Sequence, residues 1–319
     1  MRRYSLGLLF GALAVSCRAG PPDTLAIAER IALPDSAFSS LYMAADDTIW
    51  LGAPGALVRI DAGGRELRHI PLGAPAVPEH IGTFGGMSYF RAGPSTVRVD
   101  AVADSAVTAR EDIVGRSFIT DPLGRFVYRA DESGAVVAHD PLSLEAVWGW
   151  PAVGGQATAL AVTSHGDRMY QAVAGSDGTE SALLVRDLQT GRILDRLALA
   201  DPLQLLLMPA DGPLLGVSWG GAPRGSVAAF HWRDGDLDVS WRRTFADLGL
   251  SGPVRAALSP SGRLLAILAR ESEAGLHVLD VETGRTVERL REAALDVGFG
   301  ATDEVYLLAR DELRRLSEL

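Results

Sequence analysis

The residues able to do chemistry are few and scattered. Six histidines, His69, His80, His139, His165, His231 and His277, are spread through 319 residues, and no two stand at H-x-H or H-x-x-x-H spacing. That spacing is what brings two imidazoles to one metal from a single strand or helix, so the sequence predicts no metal site of local origin. Ser164-His165-Gly166-Asp167 holds the residue types of a hydrolytic triad, but neighbours in one tight turn cannot align nucleophile, base and orienting acid. It reads as a turn. No G-x-S-x-G elbow, phosphate loop or dinucleotide fingerprint occurs, and neither a catalytic residue nor a cofactor is predicted. One acidic series does recur: Asp61, Asp100, Asp140 and Asp187, spaced at about 40 residues, with Asp280 two units further on. Each precedes a turn in which an aspartate can cap backbone amides. The series therefore predicts turn caps and not a shared metal.

Those turns delimit a repeating unit, clearest at Ala256–Leu290. An apolar strand runs into Ser259-Pro260-Ser261-Gly262, a second strand covers Arg263–Ala269, and a third covers Leu276–Asp280. A Glu-Thr-Gly-Arg turn then leads to a fourth, ending at Val287–Leu290. Strands such as "LLAILA" are apolar on both faces, as expected when a sheet is packed between two others. Further copies lie at Leu41–Gly73, Ile81–Asp112, Phe118–Trp150, Leu160–Leu199 and Leu205–Phe245. Four short strands repeated about every 40 residues predict an all-β, seven-bladed β-propeller. Six blades would follow if the second unit were irregular. A helix over Thr286–Val297 is the other local reading, but it has no place in the repeat. The last unit, Asp296–Leu319, holds only three strands, and Leu25–Leu33, "LAIAERIAL", is the candidate for its fourth. Such pairing would close the ring and leave no open edge.

The N-terminus carries Arg2 and Arg3, an apolar run from Leu6 to Val15, and small residues before Cys17. The run is far shorter than the roughly 20 residues that cross a bilayer, so it reads as a signal peptide. Ala14-Val15-Ser16-Cys17 resembles a bacterial lipobox, which implies a lipid on Cys17; ordinary cleavage after Ser16 is the alternative. The expected organisation is a signal peptide at 1–16, a tether at 17–23 and a single propeller domain at 24–319. Cys17 is the only cysteine, so no intramolecular disulfide can form. A net charge of −10 disfavours nucleic acid as a partner.

"SPSGRLLAIL…HVLDVETGRTVERL" resembles the YVTN and WD40-like repeats of bacterial secreted propellers. "DDTIWLGAPGALVRIDAGG" is similar to the blades of streptogramin-lyase-like propellers and of sensor ectodomains. Ala138, Asp140, Ser143 and Trp148 approach the quinoprotein-type blade motif A-x-D-x-x-T-G-x-x-x-W. The resemblance implies architecture more than activity, since propellers host many chemistries. Propellers bind at the mouth of the central channel, where loops feed the innermost strands. Counting back from the turn glycines places Ser40, Glu79, Ser117, Ala159, Leu205, Arg255 and Asp296 there, with Arg116 and Gln204 one residue earlier. Glu79, Arg116, Arg255 and Asp296 are the candidate ligand-binding cluster, able to hold a small polar ligand or to pair with one another. The expected protein is a monomeric, extracytoplasmic, lipid-anchored propeller that binds an envelope protein or small polar ligand without catalysis. The alternative is a lyase- or lactonase-type enzyme with a divalent metal held by Glu79, His80 and Asp296. Six tryptophans, Trp50, Trp148, Trp150, Trp219, Trp232 and Trp241, divide between blade packing and interface anchoring.

Overall fold

A computed structural model describes residues 25–33, 37–44, 48–72, 76–84, 87–93, 95–100, 105–110, 117–175, 180–219, 225–251, 254–269 and 275–316, with backbone alone at 84, 95, 100 and 105–110. Among these residues the strands form seven four-stranded antiparallel sheets arranged as blades of a ring. Blade 1 runs outward from the axis through Ser40–Met43, Ile49–Ala53, Ala56–Ile60 and Glu66–Pro71. The innermost strands of blades 2 to 7 are Glu79–Phe84, Ser117–Thr120, Gln156–Val162, Leu203–Leu207, Val254–Leu258 and Asp296–Phe299. The second blade is a complete four-stranded sheet, so the count is seven and not six. Thr286–Leu290 is the outer strand of blade 6 and not a helix. Among the described residues the one helix is a single turn, Phe245–Leu248, opened by a reciprocal cap between Thr244 and Asp247.

Sheets with two apolar faces must bury both, and the core accordingly lies between blades. One apolar cluster joins Leu215 and Val227 of blade 5 to Leu265 and Ile267 of blade 6. Another joins Trp50 and Leu57 of blade 1 to Phe90 and Val97 of blade 2. Comparable clusters fill the remaining seams. Two seams are further locked by tryptophans set against glycines of the next blade. A Cβ on Gly191, whose φ is +72°, would lie 2.1 Å from the Trp150 ring, and one on Gly284 would lie 2.5 Å from Trp241. The Trp241 indole N–H also donates to Val281 O at 2.9 Å. In blade 3 the residue that docks is Trp150; Trp148, which the motif comparison aligns, packs edge-on against Phe126.

The aspartates behave as caps. Asp61 Oδ1 accepts from the amides of Gly63 and Arg65, and Asp140 Oδ1 from those of Leu142 and Ser143. Asp187 and Asp280 each take the amide and hydroxyl of the threonine three residues on. These bonds hold the carboxyls of Asp61, Asp140 and Asp187 below the usual carboxylate range. The side chain of Asp100 lies outside the described residues.

The ring closes as the sequence predicts. Ile27–Ala32 pairs antiparallel with Glu312–Leu316 and completes blade 7 as its outermost strand. Ile31 packs with Leu308 and Leu313 into the seam with blade 1, while Leu25 packs into the seam with blade 6. Replacing Ile31, which is 5% exposed, by alanine is expected to cost about 2–4 kcal/mol in denaturant unfolding. Glu29→Ala, which removes an exposed ion pair to Arg315, is expected to cost less than about 1 kcal/mol.

Candidate functional site

The innermost strands enclose a central channel, lined as two overlapping cavities of about 570 Å³ and about 530 Å³. Such volumes suit small ligands. Ser40, Glu79, Ser117, Ala159, Leu205, Arg255 and Asp296 all lie on these inner strands, and each of them borders the channel. Towards the strands' C-terminal ends the lining holds Leu207, Leu258 and Phe299 beside Thr83 and Thr120. The charged residues of the lining, Glu79, Arg255 and Asp296, lie at the end where the chain feeds into the inner strands.

Several polar side chains at the mouth reach to the next blade. Ser40 Oγ donates to Pro78 O at 2.8 Å, tying blade 1 to the approach to blade 2. Thr158 Oγ1 of blade 4 donates to Leu203 O of blade 5. The Asp296 carboxylate of blade 7 accepts from Leu41 N of blade 1 at 2.9 Å and from Val297 N at 3.0 Å. Glu79 forms an ion pair with Arg91, its cross-strand partner in blade 2. Arg255 of blade 6 faces Asp296 with Nε at 4.0 Å from Oδ1, an ion pair without a hydrogen bond. Gln204 Oε1 accepts from Trp219 N at 2.6 Å. The structure thus brings Glu79, Arg255 and Asp296 to one cavity, whereas Arg116 and Cys17 lie outside the described residues.

Sequence reasoning missed two features. Arg91 follows from pairing Glu79 across its hairpin, a relation visible only once the register is known. The second is a stack of Tyr42 on His80, with ring centroids 3.4 Å apart and planes 12° apart. Thr83 Oγ1 lies 2.6 Å from the Tyr42 hydroxyl and 2.9 Å from His80 Nε2, which fixes both rings across the seam of blades 1 and 2. Burial pushes His80 down to about 3, against an opposing hydrogen bond with the Gly82 backbone.

Among the described residues no group of three or more His, Cys, Asp or Glu side chains is placed to hold a metal ion. The Ser164–Asp167 segment is a turn: Ser164 Oγ donates to Ala210 O, and Asp167 Oδ1 accepts from Thr163 Oγ1. His139 is buried with Nδ1 3.0 Å from Leu144 O. His165 and His231 share a groove of about 170 Å³ between blades 4 and 5. Trp50 and Trp150 are buried, and the other four tryptophans are partly covered.

No protein-family model matches the chain, and no curated protein matches it. Solved structures do. The Cps50 (Swd1) β-propeller domain of Myceliophteria thermophila superposes with a TM-score of 0.73 at 15% identity, covering 92% of this chain and 100% of that one. Hydrazine synthase of Kuenenia stuttgartiensis superposes with a TM-score of 0.67 at 13% identity, covering 90% of this chain and 98% of that one. Identities this low establish the fold alone: the chain is a seven-bladed β-propeller with a polar channel mouth.

His80 makes stability pH-dependent. A histidine whose pKa is lowered on folding is protonated first in the unfolded state, so stability falls with pH from about 6.5 towards about 3. From pH 7 to pH 5 its share is about 1–2 kcal/mol, allowing for the ring edge that faces the channel. The capping aspartates add to the loss only below about pH 4. Denaturant unfolding of His80→Phe is expected to show that much less weakening between pH 7 and pH 5 than the parent protein.

Proposed function

We propose that this protein is a non-catalytic binding propeller, held outside the cytoplasm by a lipid on Cys17, whose channel mouth receives a partner protein or a small polar ligand. The observation that carries the non-catalytic part is the engagement of the mouth's carboxylates. Glu79 is taken by Arg91, and both oxygens of Asp296 are taken by backbone amides. A metal-assisted or general-base mechanism draws on a carboxylate that can turn to the reacting group, and here each carboxylate is already held by a neighbour through at least one oxygen. A rigid ring of stitched inner strands suits binding, because little order is lost when a ligand docks. The N-terminal part of the proposal rests on the signal-peptide pattern and on Ala14-Val15-Ser16-Cys17.

Expressed at full length, the protein should fractionate with membranes, and Cys17→Ser should move it to the soluble extracytoplasmic fraction. Unchanged fractionation would contradict the anchor. The mature protein should capture an envelope component from extracts and carry no stoichiometric metal; stoichiometric metal without a protein partner would contradict the binding role.

A further inference from the structure

We infer that the channel mouth is a carboxylate-binding site centred on the Arg255 guanidinium, with the Gln204 amide and the Trp219 indole beside it. This rests on the proposed binding role and names the chemistry of the ligand.

Donors and acceptors are out of balance in this one cavity. The side-chain acceptors described there are engaged: Asp296 Oδ1 by Val297 N, Asp296 Oδ2 by Leu41 N, Glu79 through Oε2 by Arg91, and Gln204 Oε1 by Trp219 N. The donors are not. Among the described residues Arg255 makes no hydrogen bond, its one contact of charge being Asp296 at 4.0 Å. Its Nε is buried without a partner, and so is Trp219 Nε1. Gln204, held by its oxygen, keeps its amide N–H₂ for the cavity. Arg255, Gln204 and Trp219 all line the same space of about 570 Å³.

Buried donors without acceptors are costly, and a ligand that supplies acceptors recovers that cost. A cationic ligand meets carboxylates that neighbours already hold, whereas an anion meets donors that make no hydrogen bond. Arginine's planar fork matches a carboxylate in bidentate geometry. Part of the guanidinium stays open, its side chain 33% exposed at the channel, so a ligand can reach it without rearranging the ring. Arg255 faces the next blade without a hydrogen bond to it, which leaves it available where Ser40, Thr158 and Asp296 are committed.

A carboxylate could come from a free organic acid or from the C-terminus of a peptide, and the two are separable. Succinate, Ala-Ala-Ala and Ala-Ala-Ala-amide would each be titrated into the mature protein. Binding would be read by calorimetry and by the indole N–H resonance of Trp219, assigned through Trp219→Phe. The expected result is saturable binding of succinate, the free tripeptide or both, with a shift of the Trp219 signal and no binding of the amide. Succinate alone would identify a small acid as the source, and the tripeptide alone a chain terminus. Arg255→Gln should weaken binding about tenfold or more, and Arg255→Lys should restore only part of it. The inference is overturned if neither acid binds below about 10 mM, if the amide binds as well as the acid, or if Arg255→Gln binds as the parent does. Should Arg255→Gln fail to fold, the comparison of acid with amide on the unmodified protein decides the matter. Membrane fractionation and partner capture are independent readouts, so failure here leaves the binding role itself standing or falling on its own test.

Discussion

Apolar contact between neighbouring blades, completed by the pairing of Ile27–Ala32 with Glu312–Leu316, is the constraint on which the rest of the structure depends. Each blade is too thin to bury a core of its own, since both faces of its sheet are apolar. A blade is therefore stable only between two others, and a ring satisfies that condition for every blade at once. The condition is cooperative. If the seventh blade lost its outer strand, Ile31 and Leu25 would leave two different seams, and Leu308, Leu313 and Leu316 would be uncovered.

Closure also sets the geometry of the mouth. With seven blades locked by seams at the outside, the inner strands meet at fixed distances, and short side chains suffice to join them. Ser40, Thr158 and Asp296 do so by hydrogen bonds to backbone atoms. A long, charged side chain at the equivalent place in blade 6 meets an aspartate whose oxygens are already engaged. The same scaffold thus produces both the structural stitches and, among the described residues of the mouth, an Arg255 guanidinium that makes no hydrogen bond.

Much of this was legible in the sequence because propeller turns depend on residues with narrow conformational roles. Pro260 with Gly262 and Thr283 with Gly284 mark the same two turns that recur in other units; Ser259 gives an amide of the first a partner, and Asp280 the amide and hydroxyl of Thr283 in the second. The closing strand could be found because "ERIAL" repeats the ending of complete units. The occupants of the mouth were legible as positions but not as pairs. Arg91 is joined to Glu79 by a cross-strand register that shifts between His80 and Gly82, and such an irregularity leaves no reliable trace in composition or period. Likewise the Tyr42–His80 stack joins residues of different blades, and only the ring sets them face to face.

Native-state hydrogen exchange tests closure most directly, because it reports each strand pair separately. The amides bonded between Ile27–Ala32 and Glu312–Leu316 should exchange as slowly as those of the outer pair of blade 4, Ser181–Asp187 with Ile193–Leu199, as expected of one cooperative ring. Fast exchange confined to the closing pair, with blade 4 protected, would show that the ring stands without its N-terminal strand and would contradict the account.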